Sequence, residues 1–449
     1  MSSNGLFADL YQMTMLRAYF ELGMAEEAAF SLFVRKLPPR RNFLIACGLA
    51  DLLKEIESLR FDDDQLRYLR SLGDFPDSFL EWLRAFRFTG DIHALPEGTP
   101  FFANEPILEV VAPIAQAQLI ETLVLNQIGL QTILASKVAR VVTAARGRPV
   151  ADFGARRAQG IDAATKGARA FYIGGVAATS NLAAGKAYGI PVSGTMAHSF
   201  IEACASEAEA FDAFTRIFPE TTLLVDTYDT LAGVAKVIAL SRSLGLKFKV
   251  RAIRLDSGDL DQLARASRRM LDEAGLTNVQ IVASGGLDED QIDRLTACNA
   301  PIDLFGVGTD LAVSSDAPAL DIAYKLVEYA GVGRMKLSTG KSSLPGRKQI
   351  FRSYRGQEAV YDVIGRHDEN LPASPLLAPV MLSGRRSDDK ADDLDSMRSY
   401  AKGAIEALPL DHRSLAPPAA PYEVKISSKL AEYRQSVLDR LRPASKDGE

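Results

Sequence analysis

The sequence predicts an α/β fold, an irregular βα barrel accompanied by a second α+β domain built from the N-terminal and C-terminal flanks. Between residues 149 and 305, short β-branched or apolar runs alternate with amphipathic helical patterns. Repeated strand–helix units give parallel strands with right-handed crossovers, and about seven in succession favour a barrel over an open sheet. The flanks lack this alternation, and 449 residues exceed one simple core.

The predicted barrel strands are Pro149–Phe153, Ala170–Ile173, Pro191–Thr195, Thr222–Asp226, Val250–Leu255, Val279–Ala283 and Pro301–Phe305, with Tyr324–Glu328 as a candidate eighth. Between most of them we expect helices, such as Asp259–Ala274 and Asp288–Asn299. The apolar region from Ile114 to Ala145 is interrupted by polar side chains. It therefore predicts a long buried helix or helix pair and not a membrane span.

These patterns divide the chain into three segments. Residues 1–112 mix helix with short strands and form the N-terminal part of the α+β domain. Residues 113–334 hold the long leading helix and the βα units. Residues 335–449 supply the C-terminal part and a tail, with turns at Pro345–Lys348, a charged run from Arg385 and a final helix, Ser427–Leu441.

Composition restricts the function classes. The formal net charge is -5 and no basic stripe is present, which argues against a nucleic-acid partner. Cys47, Cys204 and Cys298 are far apart, so neither a disulfide framework nor a zinc cluster is expected. The first residues lack the pattern of a signal peptide. We expect a cytoplasmic protein without a membrane partner.

Small and polar residues follow each predicted strand. The carboxyl ends of barrel strands form the active site, so these residues should share one site. They are Asp152–Arg157, Gly174–Gly175, Gly194–Ser199, Asp226–Asp229, Arg254–Asp259, Ser284–Gly286 and Gly306–Asp310.

The last two of these segments have the character of phosphate loops. Glycine lets backbone N–H groups approach an anion closely, and late-strand loops are the common phosphate site in barrels. For either segment alone, a tight turn explains the glycines equally well, but the pair favours phosphate. The predicted phosphate-binding residues are Ser284, Gly285, Gly286, Gly306, Gly308 and Thr309.

Three arginines at strand ends, Arg156, Arg157 and Arg254, suit phosphate or carboxylate oxygens through bidentate hydrogen bonds. The alternative is a structural ion network with the neighbouring acids, which are Asp152, Asp226, Asp229, Asp256 and Asp259. Asp256 and Asp259 are also candidates for arranging Mg²⁺ through its waters or for holding a ribose.

His198 is one of four histidines and follows a predicted strand end. An imidazole there is suited to act as a general base or a nucleophile. Asp226 or Asp229 would fix its tautomer. A structural histidine is the alternative.

The assembled segments resemble the nicotinate phosphoribosyltransferases, of the type II phosphoribosyltransferase class. The most specific motifs are Gly-Thr-Met-Ala-His-Ser-Phe at 194–200 and Arg-Leu-Asp-Ser-Gly-Asp at 254–259. Leu6–Gln12, Asp152–Gly160 and Asp226–Thr230 add to them, so the resemblance spans most of residues 1–350 in order.

The resemblance implies transfer of a phosphoribosyl group from phosphoribosyl pyrophosphate to nicotinate, with Mg²⁺ and with ATP as co-substrate. It implies that ATP phosphorylates His198, with Asp226 as its carboxylate partner. Tyr11 and Phe153 would sandwich the pyridine ring, and Thr195 and Arg254 would lie near nicotinate. Arg156 would join the same anion-rich pocket. Tyr11 would reach a neighbouring subunit's site, which implies a homodimer with shared active sites.

Three other functions stay open at this level. A related ring, nicotinamide or quinolinate, would use similar pocket chemistry. A phosphate-binding barrel lyase or isomerase is a different class; an aldolase of that kind needs a strand-end lysine, and none occurs among the strand-end segments. A non-catalytic binder of pyridine nucleotide precursors is the third.

Overall fold

The computed structural model describes residues 4–338, 343–387 and 393–441. The chain divides into two compact units: Met1–Ile133 with Ala319–Glu449, and Leu134–Pro318. Most of the charged run that follows Arg385 lies outside the described residues.

The chain up to the first boundary contains helices and short strands. They are α1 (Leu10–Glu21), β1 (Glu27–Val34), β2 (Leu44–Ile45), α2 (Leu49–Ser58), α3 (Asp63–Ser71), α4 (Asp77–Arg84), β3 (Asp91–Ala94), β4 (Pro100–Phe101), β5 (Pro106–Pro113), α5 (Ile114–Leu119) and α6 (Glu121–Ala144), which continues past Ile133.

The second unit alternates strands and helices. Its elements are β6 (Val150–Asp152), a 3₁₀ turn (Ala155–Arg157), α7 (Ile161–Ile173), β7 (Ala178–Thr179), α8 (Leu182–Tyr188), α9 (His198–Ala203), α10 (Glu207–Ile217), β8 (Thr222–Leu224), α11 (Thr230–Leu244), a 3₁₀ turn (Gly245–Lys247), β9 (Ala252–Leu255), α12 (Leu260–Glu273), β10 (Gln280–Ala283), α13 (Glu289–Ala297), β11 (Leu304–Val307) and α14 (Thr309–Val313).

The chain then returns to the first unit. It forms β12 (Ile322–Tyr329), β13 (Val332–Gly333), β14 (Lys348–Arg355), β15 (Glu358–Arg366), β16 (Ser374–Pro375), β17 (Ala378–Leu382), β18 (Arg385–Arg386), α15 (Leu394–Glu406), β19 (Val424–Ile426) and α16 (Ser428–Leu441).

The first unit is built on a sheet that both flanks share. Its strand order is β13-β12-β1-β5-β3-β17-β18, and neighbouring strands are antiparallel. A smaller sheet has the order β16-β14-β15-β19. Apolar side chains of β1 and β5 and of helices α2 to α6 form one core with Tyr324 and Ile350 from the C-terminal flank. The prediction that the two flanks build one α+β domain is confirmed.

The second unit is a curled half-barrel. Six strands form one sheet in the order β7-β6-β11-β10-β9-β8, with every pair parallel. Each crossover contains at least one helix, as the alternating pattern predicts. The predicted βα architecture is confirmed, with an irregular, open form.

Two predicted strands are wrong, and a third lies in a different sheet. Ala170–Ile173 is the end of helix α7, whose last seven residues are all buried. A buried helical run has the same apolar pattern as a buried strand. Pro191–Thr195 is a mostly exposed segment with one bridge, from Val192 to Thr179. The strand that pairs with β6 is instead Ala178–Thr179. Tyr324–Glu328 is a strand, but it lies in the antiparallel sheet of the first unit.

The observed unit boundaries lie further into the chain's middle segment than those predicted at 112/113 and 334/335. One reason is that β12 pairs with β1 from Val34–Ile322 to Ala28–Tyr329. The other is that apolar residues from Ile114 to Ile128 belong to the first unit's core. In the described residues, no helix is long and apolar enough to cross a membrane.

Candidate active site

Four neighbouring strands of the parallel sheet end within two residues of one level. Val307 is paired with Asp152, and Ala283 is paired with both Leu255 and Phe305. The residues that follow these strands therefore lie along one edge, the carboxyl edge where βα proteins place their active sites.

Arg254 is the centre of the polar contacts at this edge. Its Nε donates to Ser284 Oγ at 2.7 Å, its Nη1 to Thr195 Oγ1 at 3.2 Å, and its Nη2 to Asp256 Oδ1 at 2.7 Å. The guanidinium carbon lies 5.3 Å from the centroid of the Phe153 ring, within the range of a cation–π contact. The structure thus brings together five residues from four predicted strand ends.

Two glycines are required by close packing around this cluster. A Cβ on Gly306 would lie 2.4 Å from Phe153 Cε2, so the ring occupies the space that a side chain would need. A Cβ on Gly285 would lie 1.7 Å from the carbonyl oxygen of Asp256, and Gly285 has a φ of +90°. Close packing and the positive φ therefore account for glycine at 285 without a ligand, in line with the alternative interpretation of that loop.

Both glycine segments lead into helices, as predicted. Ser284 is buried and follows β10, and the chain enters α13 shortly after Gly286. Gly308 follows β11, and Thr309 is the exposed first residue of α14. The backbone of both segments thus lies at the carboxyl edge.

Asp152 is a structural acid and not an arginine partner. Its Oδ1 accepts from Gly154 N at 2.7 Å and its Oδ2 from Thr179 Oγ1 at 2.7 Å. Burial raises the pKa of Asp152 above its ordinary value, against these two hydrogen bonds. Its hydrogen bonds fix the start of the turn that carries Phe153.

Arg156 and Arg157 lie in the exposed 3₁₀ turn after β6. Within the described residues, neither arginine forms an ion pair. The alternative prediction, a structural ion network with the neighbouring acids, therefore does not hold for these two residues. Of the three strand-end arginines, only Arg254 pairs with an acid, Asp256. Two guanidinium groups are therefore left to meet an anion from solution.

His198, the first residue of α9, contacts two of the predicted segments. Its Nδ1 lies 3.2 Å from Thr227 Oγ1, and its Nε2 lies 3.8 Å from Asp256 Oδ2. The ring is 40% exposed, so a solute can reach it. The nearest carboxylate partner is thus Asp256.

The predicted pairing of Asp226 with His198 is not what the structure shows. Asp226 Oδ2 accepts from the backbone N–H of Asp256 at 3.0 Å and from Ser257 Oγ at 2.6 Å. Its Oδ1 is buried and has no hydrogen-bond partner among the described residues. Asp226 and Asp256 follow β8 and β9, which are neighbours in the sheet, so the Asp226 carboxylate lies next to the Asp256 backbone.

Asp229 and Asp259 have local roles. Asp229 caps α11 by accepting from Ala232 N at 2.7 Å, and Asp259 caps α12 by accepting from Gln262 N at 3.1 Å. Capping engages one carboxylate oxygen of each acid. Neither acid contacts His198 in the structure.

Asp256 is held in its ionised form. Burial opposes its charge, but the Ser284 hydroxyl and the Arg254 guanidinium lower the pKa of Asp256 below its ordinary value, with a smaller contribution from His198. Hydrogen bonds to the charged form have this effect. A fixed negative charge therefore lies beside the imidazole.

Tyr11, in α1, belongs to the first unit and is 48% exposed. Partial burial and the nearby Glu121 carboxylate raise the pKa of Tyr11 to about 12. The phenol is therefore neutral at physiological pH.

Sequence reasoning did not single out three contacts. Thr227 lies against His198, Ser257 holds Asp226, and Thr179 holds Asp152. Thr227 and Ser257 lie inside the predicted strand-end segments, so their position in the sequence could have identified them as site residues. Thr179 follows a strand that the sequence pattern placed elsewhere.

The described residues contain no group of three or more histidine, cysteine, aspartate or glutamate side chains that could hold a metal ion. A metal at this edge would need oxygens from a substrate in addition to those of the protein.

Two family models match the chain. The nicotinate phosphoribosyltransferase N-terminal domain matches residues 6–129, and the nicotinate phosphoribosyltransferase family matches residues 149–361. The chain is 56% identical over 439 residues to nicotinate phosphoribosyltransferase pncB2 of Mycobacterium tuberculosis, covering 98% of this chain and 94% of that protein. It is 41% identical over 379 residues to nicotinate phosphoribosyltransferase of Bacillus subtilis, covering 82% and 77%.

Solved structures agree. The human nicotinic acid phosphoribosyltransferase has a TM-score of 0.86 at 28% identity, covering 97% of this chain and 99% of that chain. A nicotinate-nucleotide pyrophosphorylase from Pyrococcus furiosus shares the fold, with a TM-score of 0.73 at 24% identity over 90% of this chain and 95% of that chain. The geometry of the carboxyl edge and these similarities lead to one conclusion: the chain belongs to the nicotinate phosphoribosyltransferase family.

Proposed function

We propose that this enzyme transfers the phosphoribosyl group of phosphoribosyl pyrophosphate to nicotinate, forming nicotinate mononucleotide and pyrophosphate in NAD biosynthesis. One observation carries the proposal: in a chain of this family, Arg254 lies over the Phe153 ring at the carboxyl edge and is hydrogen-bonded to Thr195, Ser284 and Asp256. An aromatic face beside a guanidinium matches a pyridine ring that bears a carboxylate.

The same edge offers groups for the second substrate. Nicotinate would stack on Phe153 with its carboxylate near Arg254 and Thr195. The 5-phosphate would bind the backbone N–H groups of Gly285, Gly286, Gly308 and Thr309, because glycine permits close approach. The Ser284 N–H is already donated to the carbonyl oxygen of Leu255. Arg156 and Arg157, exposed and without ion pairs in the described chain, would meet the pyrophosphate oxygens.

The bond changes follow from this placement. The nicotinate ring nitrogen forms a bond to C1 of the ribose as the C1–oxygen bond to pyrophosphate breaks. Holding both reactants on one edge makes the step effectively unimolecular. Positive charge that builds on the ribose would be stabilised by the ionised Asp256, and negative charge on pyrophosphate by the arginines.

The acids at the edge fit Mg²⁺, which binds through one or two carboxylates plus substrate phosphates and keeps several waters. Asp256 is ionised, and Asp259 uses only its Oδ1 to cap α12. We propose that Asp256, with Asp259 acting through water, arranges the ion. When bound, it would add positive charge next to the pyrophosphate oxygens.

We further propose that ATP acts as co-substrate through His198. An imidazole nitrogen would form an N–P bond with the γ-phosphorus as the bond to the ADP oxygen breaks, and water would later hydrolyse the phosphohistidine. The partly exposed ring, held by Thr227 at Nδ1, has the access that this step needs. A phosphoryl group beside Asp256 would change substrate affinity, which couples the two reactions.

A homodimer with shared active sites is also proposed. Tyr11 would cover the pyridine ring in the site of a second copy of the chain. Phe7, Leu10 and Tyr11 expose 46%, 59% and 48% of their surface. Exposed apolar side chains that are close together mark an interaction surface.

The three cysteines are free thiols: Cys47 is buried, Cys204 is half-buried and Cys298 is exposed. Free thiols persist in reducing compartments. We therefore place the enzyme in the cytoplasm.

The test is product formation by purified protein with phosphoribosyl pyrophosphate and Mg²⁺, with and without ATP, with nicotinate, nicotinamide and quinolinate offered separately. We expect nicotinate mononucleotide, formed faster with ATP, and no product from the other two rings. Turnover of nicotinamide or quinolinate in preference to nicotinate would refute the assigned ring. Binding of phosphoribosyl pyrophosphate without any turnover would refute the transferase reaction.

A further inference from the structure

The second unit holds a buried group of charges that the proposed reaction does not use. Its centre is Lys137 on α6, whose side chain is 1% exposed. The Lys137 ammonium lies 2.6 Å from Glu289, 2.6 Å from Asp310 and 3.0 Å from Asp316. Arg140 Nε donates to the second oxygen of Glu289 at 3.0 Å. These five residues form the Lys137 cluster.

The ammonium is enclosed by the acids of this cluster and donates a hydrogen bond to Glu289 Oε2 at 2.6 Å. Lysine has three N–H donors, and three carboxylates surround Lys137. Burial lowers the pKa of Lys137, but hydrogen bonds from its ammonium to Asp310 and Glu289 outweigh burial and raise it above its ordinary value. The group is therefore charged, and its side chain is too deeply buried to meet a phosphate from solution, so a direct role in substrate binding does not fit.

Two of the carboxylates mark the helices that follow the glycine segments. Glu289 is the first residue of α13, which the chain enters after Ser284–Gly286. Asp310 is the second residue of α14 and follows Thr309 directly. The Lys137 ammonium thus links the first turns of the two helices that follow the glycine segments. Asp316 lies beyond α14 and is adjacent to neither segment.

We propose that Lys137 is a positioning residue that fixes the separation of Ser284–Gly286 and Gly306–Thr309, so that their backbone N–H groups bind one phosphate together. The inference rests on the proposed function, which assigns that phosphate to phosphoribosyl pyrophosphate. Phe153 and Arg254 contact these segments at their strand-end residues, since Phe153 N donates to Val307 O and Arg254 Nε to Ser284 Oγ; Arg254 is also held by Thr195 and Asp256. Glu289 and Asp310 lie beyond these residues, at the helix ends of the segments. Loosening the cluster should therefore weaken phosphoribosyl pyrophosphate binding more than nicotinate binding.

The experiment compares three near-isosteric variants of the full chain: Glu289→Gln, Asp310→Asn and Asp316→Asn. Each removes one charge that faces the same ammonium, and only the first two alter the helices that follow the glycine segments. KM is measured separately for each substrate, together with kcat and the thermal midpoint. Asp316→Asn is the matched control for the loss of a buried ion pair.

We expect Glu289→Gln and Asp310→Asn each to raise the KM for phosphoribosyl pyrophosphate about tenfold, because small misplacements of binding groups have effects of this order or larger. The nicotinate KM should rise less than that, and Asp316→Asn should leave both KM values close to those of the wild type. The inference would be overturned if the KM for phosphoribosyl pyrophosphate were unchanged in both test variants. It would also be overturned if KM rose equally for both substrates, or equally in all three variants. In each of these cases, turnover by the wild-type protein would still uphold the proposed function. A wild-type protein that does not turn over phosphoribosyl pyrophosphate would remove the proposed function and this inference together.

Discussion

Gly306→Ala is the substitution whose effect on the site can be worked out most directly from the structure. The added Cβ would lie 2.4 Å from Cε2 and 2.7 Å from Cδ2 of Phe153, whereas ordinary van der Waals contact begins at 3.4 Å. The difference, 3.4 − 2.4, requires a shift of about 1 Å in the ring. Misplacement of a reacting group by that distance costs roughly 100-fold in rate, or about 2.7 kcal/mol of transition-state stabilisation.

The assay is steady-state formation of nicotinate mononucleotide with nicotinate varied at saturating phosphoribosyl pyrophosphate and ATP. We expect kcat/KM for nicotinate to fall about 100-fold. Gly403→Ala is the control, because a Cβ at Gly403 meets nothing within 4 Å. A Gly306→Ala enzyme with near wild-type kcat/KM would show that the Phe153 ring does not position nicotinate. The reasoning also fails if Gly403→Ala is equally impaired.

Three further outcomes are expected. His198→Ala should abolish ATP stimulation and leave slow ATP-independent transfer, measured as initial rates with and without ATP; retained stimulation would contradict the phosphohistidine. Arg254→Lys keeps the charge but loses the planar fork, so the nicotinate KM should rise about tenfold or more; an unchanged KM would place the carboxylate elsewhere. Burial, and then Asp362, raise the pKa of Glu105 well above its ordinary value of 4.5. The folded state therefore keeps a proton that the unfolded chain releases, so stability falls as pH rises above about 4.5 towards the raised value. Glu105→Gln should flatten that fall in urea midpoints, and parallel pH curves for the two proteins would argue against it.

Part of the fold could be predicted from the sequence because the βα pattern depends on residues that are close together in the chain. Five predicted strands, those matching β6, β8, β9, β10 and β11, are confirmed, since each is a short apolar run followed by turn residues and a helix. The errors at Ala170–Ile173 and Pro191–Thr195 arose where residue types alone do not distinguish a strand from a buried helix or a loop. The end of α7 has every residue buried, so its apolar residues show no helical periodicity. The loop at 191–195 contains β-forming residues, but residue types do not show whether a neighbouring strand is there to pair with.

The sequence predicted which residues surround Arg254 but not how the acids pair. Strand ends of a parallel sheet converge, so Phe153, Thr195, Arg254, Asp256 and Ser284 were expected together and are in contact. Which acid approaches the imidazole depends instead on strand order. β9 lies between β8 and β10, so the Asp226 carboxylate turns to the backbone after β9. Asp256, which follows that same strand, then faces His198.

The sequence by itself determined the strand–helix alternation, the set of strand-end residues and the family, because these depend on residue types and their order along the chain. Only the tertiary structure decided the unit boundaries, the partner of His198 and the burial of Lys137 among three carboxylates. Each of these depends on contacts between segments far apart in sequence, such as Val34 with Ile322 and Lys137 with Glu289. Packing selects such contacts, and no local pattern records them.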